Sequence, residues 1–158
     1  MPDETETEEA TEEEGPITVP YEEPSAEDQE RMRHQAELSD LISSVCAGLA
    51  HHVSVVQHTA SIAAAAPDST TAGEIGGLAG DCSGLAGNAH GAAAQLLGAG
   101  VEDWVYSVKA CNEVAYWANS AAGHASAAAN SEYPTEIKMG LDQVVHDLAN
   151  AAHSINQA

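Results

Sequence analysis

The chain has no phenylalanine, and aromatic residues make up only 4% of its 158 positions. A core without large rings must be thin and made of small side chains, so its elements have to lie close together to fill the space. Positive charge is nearly as scarce: four Lys and Arg face 25 Asp and Glu, for a formal net charge of −21. Such a field repels phosphate backbones and anionic lipid, which excludes nucleic acid and membrane surfaces and favours basic proteins and cations as partners. Cysteine is limited to three, an odd number, and the amino terminus is acidic where a secretory signal would be basic and then apolar. Both features point to reduced thiols and a cytoplasmic protein. No long apolar run is present either. Residues 41–67 and 82–101 carry no charge, but His51, His52, Gln57 and His58 in the first and Asn88, His90 and Gln95 in the second make crossing a bilayer unfavourable.

Catalytic signatures are also missing. There is no G-x-x-x-x-G-K-[ST] phosphate loop, no G-x-G-x-x-G after a strand, no G-x-S-x-G elbow, no H-E-x-x-H and no C-x-x-C. The Glu-x-x-His pattern of di-iron bundles is absent, which argues against a ferritin-like oxidase. The W-x-G turn and Y-x-x-x-[DE] tail of small exported helical pairs are missing too: Tyr133 is followed by Glu136 at the wrong spacing. These absences predict a protein that is not an enzyme and needs no cofactor.

What is present centres on residues 71–98. Ile75, Leu78, Cys82, Leu85, Ala89, Ala92 and Leu96 recur at alternating steps of three and four, the seam of a helix packed lengthwise against others. Gly73, Gly76, Gly77, Gly80, Gly84, Gly87 and Gly91 fall on another face, within roughly a third of the circumference. In a water-exposed helix each Gly costs about 0.8–1 kcal/mol relative to Ala, so seven would cost roughly 6–7 kcal/mol. That penalty predicts a second helical surface lying against the glycines.

The rest of the chain resolves into further helices. Residues 1–24 combine like-charge runs with prolines and should be a disordered acidic tail, in which Ile17–Tyr21 is a short apolar island. Thirteen of the acidic residues precede Gln35, so the tail and the turns after it are the most densely charged part. Ser25 followed by Asp28 marks the start of a long first helix over 26–66, whose early turns should project as a charged stalk. Its seam is expected at Leu38, Ile42, Val45, Leu49, His52, Val56, Thr59 and Ala63. A second helix is expected over 70–98 and a third over 101–130, with Glu102 and Asp103 in its first turn and a seam of Trp104, Val108, Cys111, Ala115, Ala118, Ala122, Ala125 and Ala129. Pro134 restarts the chain as a fourth helix over 134–157, burying Ile137, Leu141, Val144, Leu148, Ala151 and Ile155. Four seams joined by three short connections predict an all-α, up-down-up-down four-helix bundle spanning residues 25–158.

Two sets of residues are candidates for function. Opposite the seam of the third helix lie Tyr106, Ala110, Glu113, Trp117, Ala121, His124 and Ala128, a stripe in which aromatic anchors alternate with small residues. Together with Gly73, Gly77, Gly80, Gly84, Gly87 and Gly91 it predicts an interface for a second copy or a partner helix, with the acidic tail facing a basic partner. The alternative is a zinc or copper site. Counting from each turn places Cys46, His90, Cys111 and His153 at a similar height, and His52 at a core position, although the side chains start in different directions, His153 opposite its own seam. The pairs His51 with His58 and His146 with His153 form short stripes away from the seams, read as uncharged polar surface.

Overall fold

A computed structural model describes residues 22–158. The disordered tail expected over residues 1–24 and the island Ile17–Tyr21 lie outside the described residues, except for 22–24, which have no regular structure. The described residues before Gln35 belong to one compact unit and Gln35–Ala158 form another. Among the described residues the structure is all-α, with four helices and no strand.

The first helix, α1, runs Ala26–Ala65. Ser25 Oγ accepts the Asp28 N–H at 3.0 Å, satisfying one of the free donors of the first turn. Surface ion pairs, Arg31 with Asp28 at 2.6 Å and Arg33 with Glu30, support the turns before Gln35. Within the bundle α1 buries Cys46, Leu49, Val53, Val56, Ala60 and Ala63. The observed seam is therefore rotated slightly from the expected one: Thr59 is exposed and His52 is half-buried at its edge. Pro67 ends the helix in a single 3-10 turn, Pro67–Ser69.

The second helix, α2, runs Ala72–Gly98 and opens on a capping box in which Thr71 Oγ1 accepts the Glu74 N–H at 3.1 Å and Glu74 accepts the Thr71 N–H at 2.8 Å. All seven expected seam residues are buried, and Ala79, Ala86 and Ala93 join them. Its end explains a difference from expectation. Gly100 takes a φ of 104°, the Gly100 N–H donates to Leu97 O at 3.1 Å and the Val101 N–H to Leu96 O at 3.0 Å, with Val101 buried. This is a Schellman stop, and it draws Val101 into closing α2 rather than opening the next helix.

The third helix, α3, consequently starts at Tyr106 and runs to Ala129. Glu102 and Asp103 precede it, and Trp104 lies in the connection, 67% exposed, with its indole N–H donated to Glu102. The fourth helix, α4, runs Pro134–Asn156 with Pro134 in its first turn. It buries Leu141, Val144, Leu148, Ala151 and Ile155 as expected, while Ile137 is half-buried.

The closest approaches are those of α2 with α3 and of α3 with α4. Helices can come this near only where side chains are small, and α3 supplies Ala110, Ala115, Ala118, Ala121, Ala125 and Ala128 for the purpose. Among the glycines, Gly140 has the tightest surroundings. A Cβ there would stand 2.9 Å from the Ala128 Cβ and 3.2 Å from the His124 carbonyl oxygen.

Candidate interaction surface

The glycine face forms as the spacing predicts, and among the described residues nothing covers it. Gly73, Gly76, Gly77, Gly80, Gly84, Gly87 and Gly91 are all exposed. A Cβ built at Gly76, Gly77, Gly80, Gly84, Gly87 or Gly91 meets nothing within 4 Å, and at Gly73 only the helix's own cap, Thr71, at 3.9 Å. The buried seam lies on the opposite side of α2, against α3 and the rest of the core, so the bare strip faces outward.

A groove between α1 and α2 borders this strip. Gly77 lines a cavity of about 480 Å³ with Ile62, Ala63, Thr70 and Asp81, and Gly91 lines one of about 540 Å³ with Leu41, Val45, Gly48 and Asn88. Between them the groove is bridged once, by His52 Nδ1 and Asn88 Nδ2 at 2.8 Å. His52, expected in the core, is thus a polar tie at the groove and lines neither cavity. Val55, Ile62 and Leu97 are exposed apolar side chains on the same two helices.

The stripe on α3 needs correction. Ala110, Ala121 and Ala128 are buried, because α3 packs against α2 on one side and α4 on another and needs two apolar strips where a seam on one face was expected. Its aromatic members survive at the surface. Tyr106 is 42% exposed, and Trp117 is half-buried edge-on to the exposed Tyr116, with ring centres 5.0 Å apart at 79°. Tyr116 was not among the expected anchors; it sits beside Trp117 but outside the three-four spacing that defined the stripe.

The four expected metal ligands do not converge. Cys46 and Cys111 are both buried, but His90 is exposed on α2 and His52 is committed to Asn88. Among the described residues no three His, Cys, Asp or Glu groups are placed to hold one ion. The zinc or copper set Cys46, His90, Cys111 and His52 fails because the side chains leave their helices in different directions although their heights agree.

Two polar features escape a reading by seams alone. Asp147 is 3% exposed and bonds His124 Nδ1 at 2.9 Å, joining α4 to α3. Its signal was its position three residues after Val144, where a charged residue occupies a seam step. The other is Cys82. Burial first, and the Asp81 and Asp147 carboxylates second, push its thiol up to about 12, so it remains protonated and unreactive as a nucleophile. Comparison with protein-family models, with curated proteins and with solved structures finds no match to this chain.

Proposed function

We propose that the chain is a non-enzymatic helical-bundle interaction or structural protein that self-associates, or takes up a partner helix, through the glycine face of α2, with Tyr106 and Trp117 as aromatic anchors on α3. The observation that carries this reading is the open glycine strip itself. A helix gains nothing from seven exposed glycines in isolation, whereas a second helix laid against them approaches closely and recovers van der Waals contact along its length.

Charge supports the same surface. In a chain of net charge −21, copies repel each other, and approach is least costly where no charge stands. Residues 41–67 of α1 and the turn after it, together with 82–101 of α2 and its stop, are free of charged side chains and line the groove around Gly48 and Gly91, while Glu74 and Asp81 stand at its other end. The acidic amino-terminal segment is left to engage a basic partner, and the cytoplasm is the compartment that suits three free thiols.

The test is Gly84→Leu, compared with the unaltered chain by sedimentation velocity and circular dichroism. No atom stands within 4 Å of the added Cβ in the chain itself, so the helical signal should persist. The association should be lost. Unchanged association in a well-folded Gly84→Leu variant would remove the glycine face from the interface.

A further inference from the structure

At the turn where α1 gives way to α2, the groove opens into the cavity of about 480 Å³. Its polar lining is of one kind. The Thr59 hydroxyl donates to Val55 O at 3.2 Å, that of Ser69 to Ala66 O at 3.4 Å and that of Thr70 to Ala66 O at 2.7 Å, so each has spent its hydrogen nearby and offers only oxygen lone pairs. The other polar side chains of the lining are the carboxylates of Glu74 and Asp81, and no Lys, Arg or His joins them. Glu74 uses only Oε1 in the capping box. The end of α1 adds to the same sign. Ala63 and Ala66 line the cavity at the negative end of the helix dipole, where the last turn holds no basic residue. Side chains of this kind have no hydrogen to give an anion; they call for a donor that carries positive charge.

Spacing narrows the class further. Glu74 and Asp81 stand seven residues apart on α2, two turns, so they share one face about 10 Å apart along the axis. Gly77 and Leu78 sit midway between them, and Ile62 and Ala63 line the cavity from α1. Ile62 is 59% exposed despite its size, and no atom stands within 4 Å of a Cβ built at Gly77, so the middle of the cavity is apolar and open. A negative group at each end of an apolar span is the complement of a hydrocarbon chain with a cation at each end. Three of the chain's four basic groups are engaged elsewhere, Arg31 with Asp28, Arg33 with Glu30 and Lys138 with Asp142.

We propose that this cavity binds a linear aliphatic diammonium ion, with one ammonium at Glu74, the other at Asp81 and the methylenes over Ile62, Gly77 and Leu78. Both carboxylates are exposed, so each contact is a solvent-screened ion pair, and the affinity is modest and falls with added salt. Length is the selective feature. A diamine too short to span two turns reaches one carboxylate at a time, and a monoamine of full length leaves one carboxylate without a partner.

An NMR titration of the full chain, at fixed ionic strength and at a concentration low enough to keep copies apart, tests this with heptamethylenediamine, n-heptylamine and ethylenediamine as probes. Heptamethylenediamine should saturate its site, shift the backbone amides of residues 59–66 and 74–81, and bind about fivefold more tightly than either of the others. Asp81→Asn and Glu74→Gln, the second of which keeps a residue able to close the capping box, should each lower its affinity to that of n-heptylamine. Asp103→Asn, in the connection before α3, should leave it unchanged. Ethylenediamine binding as tightly as the longer diamine, shifts spread over acidic residues with no saturation at the cavity, or undiminished binding by a folded Asp81→Asn variant would each overturn the proposal. The comparison of probes on the unaltered chain decides it even where a variant fails to fold.

Discussion

At the scale of single residues, two glycines of the bundle should respond to the same substitution with opposite signs. Gly84 faces open space, so Gly84→Ala should raise the stability of the dilute chain by about 0.8–1 kcal/mol through helix propensity alone. If a partner packs on that strip, the gain should shrink as concentration rises. Gly140 faces Ala128 at 2.9 Å, and Gly140→Ala should destabilise by about 1–3 kcal/mol through overpacking. Urea unfolding of both variants checks the pair of signs. Cys82 makes a different prediction. Its thiol is pushed to about 12 from an ordinary 9.0, so the folded chain keeps a proton that the unfolded chain releases. The stability this contributes is complete below pH 9 and is lost as pH rises towards 12. Cys82→Ala should therefore lower the unfolding free energy less steeply over that alkaline range than the unaltered chain does, as measured by denaturant titration at successive pH values.

At the scale of elements, what could be read from sequence depended on how many neighbours a helix has. The seam of α2 was fully legible, because large residues at Ile75, Leu78, Leu85 and Leu96 mark one side unmistakably. On α3 ten of the twelve positions from Ala118 to Ala129 are Ala, Gly or Ser, and the sequence contains no contrast there to show that two strips, not one, are buried, which is why the Tyr106–Ala128 stripe reads as one open face. Asp147 was passed over because charge ordinarily marks a solvated face, whereas here His124 supplies a partner. The start of α3 was misplaced because a stop motif depends on backbone hydrogen bonds as well as on Gly100. That motif is itself testable. With φ at 104°, Gly100→Ala should cost about 1–2 kcal/mol and lower the thermal midpoint in calorimetry, although nothing lies near the added carbon.

At the scale of the molecule, the bundle combines a heavily negative charge with a strip of exposed glycines and, beside it, a groove that is uncharged around Gly91 and carries Glu74 and Asp81 at its other end. If, as proposed, the strip draws copies together while charge keeps them apart, association should strengthen with added salt as repulsion is screened. Sedimentation equilibrium of the full chain at moderate ionic strength, from dilute to concentrated solution, measures the balance most directly. A mass that climbs with concentration to a defined multiple of 16.2 kDa is the predicted result. A mass that stays at that of one chain throughout would contradict self-association through the glycine face of α2.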